Sequence, residues 1–153
     1  MNLLPVLGRS IIVILMICAT FGCATGPVFE KPEAAPEGSA QVYVYRVLRP
    51  VGAIPYLASI DESTELINLP NGSWQRLVLP PGNHSISVKD YFGVSYCGPR
   101  PLSMQLRSGE TAYVRQEVYV VSFVMNITTL GCSLKQPPEE SALAEMSNLR
   151  RAQ

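Results

Sequence analysis

Hydrophobic and polar positions divide the chain into stretches of different texture. Between Ser10 and Phe21 the residues are apolar or small and carry no charge. From Ala24 to Ala40 no apolar periodicity is present. From Gln41 onward, short blocks rich in β-branched and aromatic residues are separated by turn residues, and residues 137–151 carry apolar positions at helical spacing. Blocks of period two between turn signals read as strands, and a period of 3.6 reads as helix.

The block "QVYVYRVL" (41–48) is apolar on both faces, the pattern of a buried strand. "PYLASID" (55–61) is a second strand, with Asp61 and "ESTE" supplying a turn. "SWQRLVL" (73–79) follows Asn71-Gly72, a pair that favours a hairpin turn. Pro80-Pro81-Gly82 then turns the chain ahead of an alternating strand. "LSMQLRS" (102–108), Gly109-Glu110 and "TAYVRQEVYVVSFVMNITTL" (111–130) complete the series. The last block is too long for one ordinary strand and is expected to break or bend near Val121. Short strands with closely spaced turns predict an all-β sandwich or barrel. In the tail, Leu143, Met146 and Leu149 are spaced as in a helix, with acidic residues in its first turn and Arg150-Arg151 in its last. That helix is expected to lay one apolar stripe on the sheet or to fray.

The N-terminal stretch has the layout of a secretory signal: a weakly positive start from Met1 to Arg9, an apolar middle, and small Gly22 at the cut. A membrane-spanning helix needs about 20 apolar residues, and Pro5, Gly8 and Arg9 interrupt the run on its upstream side. Thr20-Phe21-Gly22-Cys23 resembles the lipobox of bacterial lipoproteins, whose cysteine thiol is joined to diacylglycerol before cleavage. Thr20 stands where leucine is usual, while Gly22 and Ala24 are typical; Cys18 follows the bulky Ile17 and fits less well. The resemblance assigns 1–22 to a signal peptide and Cys23 to the lipidated N-terminus of the mature chain. Two or three acyl chains make such an attachment effectively permanent. Ala24, where aspartate would retain a lipoprotein inside, points by analogy with enterobacterial sorting to the outer membrane, facing the periplasm. Residues 23–40 then form the anchor and a Pro-rich linker, an extended spacer reaching up to about 50 Å.

With 153 residues the chain is sized for one domain, the sandwich over 41–135 and the helix and tail over 136–153. Lys plus Arg and Asp plus Glu number 12 each, a balance that argues against a nucleic-acid footprint. Hydrophobic residues make up 47%, too many for a mostly disordered chain. With Cys23 lipidated, Cys97 and Cys132 form a natural disulfide pair in an oxidising compartment. Separate thiols, or zinc bound with His84, are the alternatives, and no Cys-x-x-Cys spacing supports zinc.

His84 is the single imidazole. Its neighbour Ser85 points to the opposite face of a strand, so the two cannot form a nucleophile and base. No Gly-x-Ser-x-Gly elbow or glycine-rich phosphate loop is present. His84 is therefore read as structural, the chain as no enzyme, and no cofactor is implied. Asp61, Glu62 and Glu65 lack the dense spacing of a calcium loop. Tyr43 and Tyr45 are placed for sheet packing more than for binding. "KDYFGVSYCGPR" (89–100) is the better recognition loop, with Tyr91, Phe92, Tyr96 and Arg100 as candidate ligand-binding residues.

"AQVYVYRVLRP", "IDESTELINLPNGSWQRLVLPPGNHSISV" and "LRSGETAYVRQEV" resemble the bacterial lipoproteins grouped as domain of unknown function 2846. The likeness runs roughly from Ala40 to Val118. Glu62 stands where that family usually has glycine, and Cys97 and Cys132 fall outside its pattern. The resemblance implies a transthyretin-like or immunoglobulin-like β-sandwich at the envelope membrane and no reaction. The expected role is a non-catalytic envelope lipoprotein that contacts another protein or assists envelope maintenance. The alternative is a module binding a glycan such as peptidoglycan, or a small ligand.

Overall fold

Val42 and Val44 are buried on one side of the first strand, and Tyr43 and Tyr45 on the other. A strand covered on both faces must lie between two layers, and that sets the architecture. The computed structural model describes residues 24–50, 54–90, 97, 98, 100–125 and 127–153. The signal-like segment, Cys23, and the loop aromatics Tyr91, Phe92 and Tyr96 lie outside the described residues.

The strands are β1 (Ala40–Arg46), β2 (Tyr56–Ile60), β3 (Ile67–Leu69), β4 (Ser73–Leu79), β5 (Gly82–Asp90), β6 (Leu102–Leu106), β7 (Thr111–Val124), β8 (Ile127–Lys135) and β9 (Arg150–Arg151); helix α1 spans Glu139–Met146. One sheet has the order β8-β7-β1-β4-β9 and the other β3-β2-β5-β6. β1 pairs antiparallel with β4 and parallel with β7. The fold is an all-β sandwich with a short C-terminal helix.

The first core lies between the sheets. Val42, Val44 and Val114 from the larger sheet meet Ala58, Ile86, Val88 and Leu106 from the smaller one. Arg46 closes one end of this core. It is 2% exposed, donates to the Ile54 and Leu69 carbonyls at 2.8 and 3.3 Å, and stacks 4.8 Å over the Tyr56 ring. Burial pushes its guanidinium down to about 10.

The second core lies on the outer face of the larger sheet. Phe29 meets Trp74 edge-on at 5.4 Å and Tyr43 at 5.7 Å, and Tyr43 stacks on Tyr113 at 5.8 Å. Ala142, Met146 and Leu149 cover these rings. The tyrosine hydroxyls are hydrogen-bonded as buried ones must be: Tyr45 donates to Glu145 at 2.6 Å, Tyr113 to Glu139 at 3.1 Å, and Tyr43 accepts the Glu33 amide at 2.9 Å.

This second core corrects the reading of 24–40 as a free spacer. Phe29 is 5% exposed and Ala24 is 8% exposed. Val28 bridges Arg150, and the Gly26 and Phe29 amides donate to the carbonyls of Arg151 and Leu149 at 3.1 and 2.9 Å. Arg76 clamps the following turn, reaching Glu33 Oε2 at 2.6 Å and the Ala34 carbonyl at 3.0 Å. Composition hid this, because a single aromatic side chain and backbone pairing hold the segment in place.

Other boundaries also differ. The helix ends at Met146 because the chain must turn for Arg150 and Arg151 to pair with Ser73 and Trp74; they form a strand, where the spacing pointed to a last helical turn. Asn71-Gly72 joins β3 to β4, which belong to different sheets, so the pair makes an inter-sheet corner and no hairpin. The 111–130 block bends at the expected place, with a bulge between Val120 and Ser122. It reverses after Val124, where Met125 adopts φ 48°, and β8 follows. Among the described residues no helix is long and apolar enough to cross a membrane.

Candidate functional site

The most organised polar cluster gathers around Asp61. The Ser63 amide donates to the Ile60 carbonyl at 2.8 Å, and Asp61 and Glu62 take φ 49° and 58°. Two left-handed residues in a four-residue turn define type I′ geometry. The turn aims the Asp61 carboxylate back across the sheet. Its Oδ1 accepts the Ser85 amide at 2.7 Å, and its Oδ2 lies 2.7 Å from His84 Nδ1. His84 Nε2 lies 2.8 Å from the Pro80 carbonyl.

Both imidazole partners are acceptors, so the arrangement is satisfied when both ring nitrogens carry hydrogen. His84 is then an imidazolium against a carboxylate. The Asp61 hydrogen bond, aided by the Pro80 carbonyl, raises His84 above its ordinary value. The Ser85 amide, followed by His84, lowers Asp61. Such a histidine has no lone pair to offer a substrate. Ser85 Oγ lies 3.4 Å from Asp61 Oδ1, so the hydroxyl faces the carboxylate and the serine–histidine contact of a hydrolase is not formed. The cluster fastens β2 to β5 beyond their last paired residues, Ile60 and Ile86. Asp61, expected only as a turn residue, does sit in the turn after β2, but its pairing with His84 depends on the left-handed backbone at 61 and 62, which Asp-Glu does not announce in sequence.

The outer face of the smaller sheet is rich in hydroxyls and amides. Ser59 and Ser87 touch through their hydroxyls at 2.7 Å. Beside them a groove of about 590 Å³ is lined by Ser59, Glu62, Ser63, Ser87, Lys89 and Arg100 among others. Arg100 is exposed there and is the one described member of the candidate recognition set. Two cations and several hydroxyls around a groove of this size suit a hydroxyl-bearing or anionic small ligand. Tyr43 and Tyr45, at 1% and 0% exposure, belong to the second core and offer no ligand surface.

Cys97 and Cys132 are joined as a disulfide, with Cα atoms 4.5 Å apart. Cys97 donates its amide to the Val88 carbonyl at 2.7 Å, and Cys132 sits opposite Val118 on β8. The bond staples the loop after β5 to the edge strand of the other sheet. The buried Gln116 amide donates toward both sulfurs. His84 is engaged elsewhere, and among the described residues no group of three metal-ligating side chains is found.

No protein-family model matches the chain, and no curated protein matches it significantly in sequence. The functional reading therefore rests on the residues themselves.

Proposed function

We propose that this chain is a bacterial envelope lipoprotein, acylated at Cys23, which presents a non-catalytic β-sandwich at the periplasmic face of the outer membrane for contact with an envelope partner. The observation that carries the reading is the second core. Residues that directly follow Cys23 are built into the domain through Ala24, Gly26 and Phe29. An anchor on Cys23 then holds the sandwich against the bilayer surface. The lipobox-like Thr20–Cys23 sequence and the likeness to the lipoproteins of domain of unknown function 2846 support the same placement. The saturated His84 supports a binding role over a catalytic one.

Membrane fractionation tests this. The wild-type chain is expected to resist alkaline carbonate and to need detergent for release, whereas Cys23→Ser is released by carbonate. Identical release of the two proteins overturns the anchor.

A second reading, a module for glycan fragments or another small polar ligand, is favoured by the hydroxyl-lined groove beside Arg100. Soluble Cys23→Ser protein titrated with peptidoglycan fragments is expected to bind more weakly once Arg100→Ala is introduced. Equal binding by both proteins removes the groove from consideration.

A further inference from the structure

Past the Arg46–Gln116 pair, β7 has no β1 residue beside it; held at its base by the Cys97–Cys132 bond opposite Val118, it continues with β8 as a two-stranded hairpin that pairs with no other described strand. The residues from Tyr119 to Val124 project about 20 Å at ~3.3 Å per residue. From Val118 to Leu134 the sequence carries no charged residue. Tyr119, Val120, Val121, Phe123 and Val124 are 49–67% exposed, and Met125 at the tip is 92% exposed. Neighbouring residues on a strand face opposite ways, so Tyr119 with Val120, and Phe123 with Val124, put exposed apolar side chains of β7 on both faces of the ribbon. Soluble proteins rarely expose a continuous apolar surface without a partner for it.

We propose that this hairpin inserts end-on into the lipid bilayer, as a membrane contact separate from any acyl chain. A protein groove covers one face of a ribbon; an acyl layer surrounds both, and surrounds the tip as well. Charge returns on both strands below Val118, where Glu117 on β7, opposite Ser133, is linked diagonally to Lys135 on β8 at 2.5 Å. Arg115, ion-paired with Glu117 and Glu145, and the exposed Arg49 lie around the same hollow. That boundary matches a headgroup layer, with Arg49 facing phosphates and the Tyr119 ring at the interface. Val121 to Val124 spans about 10 Å, the depth to which interfacial segments sink. Both edges of the ribbon are open along its length, so the contact is confined to the headgroup–acyl boundary, where water still reaches the unpaired backbone groups.

The proposal rests on the described residues 117–125 of β7 and its tip, with Arg49 beside them, and stands whether or not Cys23 is acylated. Its test uses the chain from Cys23 to Gln153 carrying Cys23→Ser; the residues of both cores all lie between Phe29 and Leu149. Sedimentation with phosphatidylethanolamine–phosphatidylglycerol vesicles is expected to show binding. Phe123→Ser, at a site two-thirds exposed, is expected to weaken it about tenfold or more while leaving the thermal melt in place. Arg49→Gln is expected to weaken it about fivefold on these vesicles and little on phosphatidylcholine alone. Absence of vesicle binding overturns the proposal, as does equal binding by Phe123→Ser. A concentration-dependent dimer that Phe123→Ser abolishes, without vesicle binding, overturns it in favour of a second copy of this chain as the occupant.

Discussion

Asp61 holds His84 through an Oδ2–Nδ1 contact of 2.7 Å while its other oxygen takes the Ser85 amide. One carboxylate thus orders a histidine that is 8% exposed and ties together two strands of the smaller sheet. The pair also makes stability depend on pH in a defined direction.

His84 is raised above its ordinary 6.5, so its contribution is complete below about 6.5 and fades as pH climbs through the folded value. Asp61 is lowered beneath its ordinary 3.8, so its contribution is complete above about 3.8 and fades as pH falls through the folded value. Thermal melts are expected to plateau between about pH 4 and 6.5. His84→Gln should flatten the decline above that window. Asp61→Asn should cost about 1 kcal/mol inside it.

Glu62 occupies a left-handed position, φ 58°, where a side chain is unfavourable and glycine is at ease. Glu62→Gly is expected to stabilise the fold by about 1 kcal/mol, read from the denaturant midpoint at unchanged slope. A loss of stability contradicts the type I′ turn.

Phe29 fills the second core, and Gly26 lies so close to the Arg151 carbonyl that a side chain there would collide with it. Phe29→Ala is expected to cost about 3 kcal/mol and to open the chain to trypsin at Lys31. A spacer free in solution would leave both readouts at their wild-type values.

The Cys97–Cys132 bond closes a separation of 35 residues, and the chain-entropy model assigns such a loop about 3–4 kcal/mol. The double variant Cys97→Ser/Cys132→Ser should lose most of that, and reductant should destabilise the wild type alone. Reactive thiols on Cys97 or Cys132 in unfolded, non-reduced protein would speak against the bond.

The sandwich was legible because strand alternation and turn residues are local signals. The doubly apolar β1 and the bend at Val121 followed from them, while the Cys97–Cys132 pairing followed from setting Cys23 aside as lipidated. What the sequence did not disclose depends on contacts distant in the chain. Ile67–Leu69 is too short to show alternation, and Gly131–Lys135 joins the sheet by pairing with β7. Nothing near Leu149 signals that the next two arginines will lie beside Ser73 and Trp74. Phe29 is a single aromatic in a Pro-rich stretch, and its partners Tyr43, Trp74 and Leu149 lie far along the chain. The buried place of His84 on the face it shares with Ile86 and Val88 follows from alternation, but its partner Asp61 is 23 positions away and needed the turn geometry to be seen.

Intact-mass spectrometry of the chain purified from its native membrane tests the central claim most directly. The expected species begins at Cys23 and carries a diacylglyceryl group, with or without a further amide-linked acyl chain. A polypeptide that starts at Met1, or one that starts at an unmodified Cys23, would contradict the account.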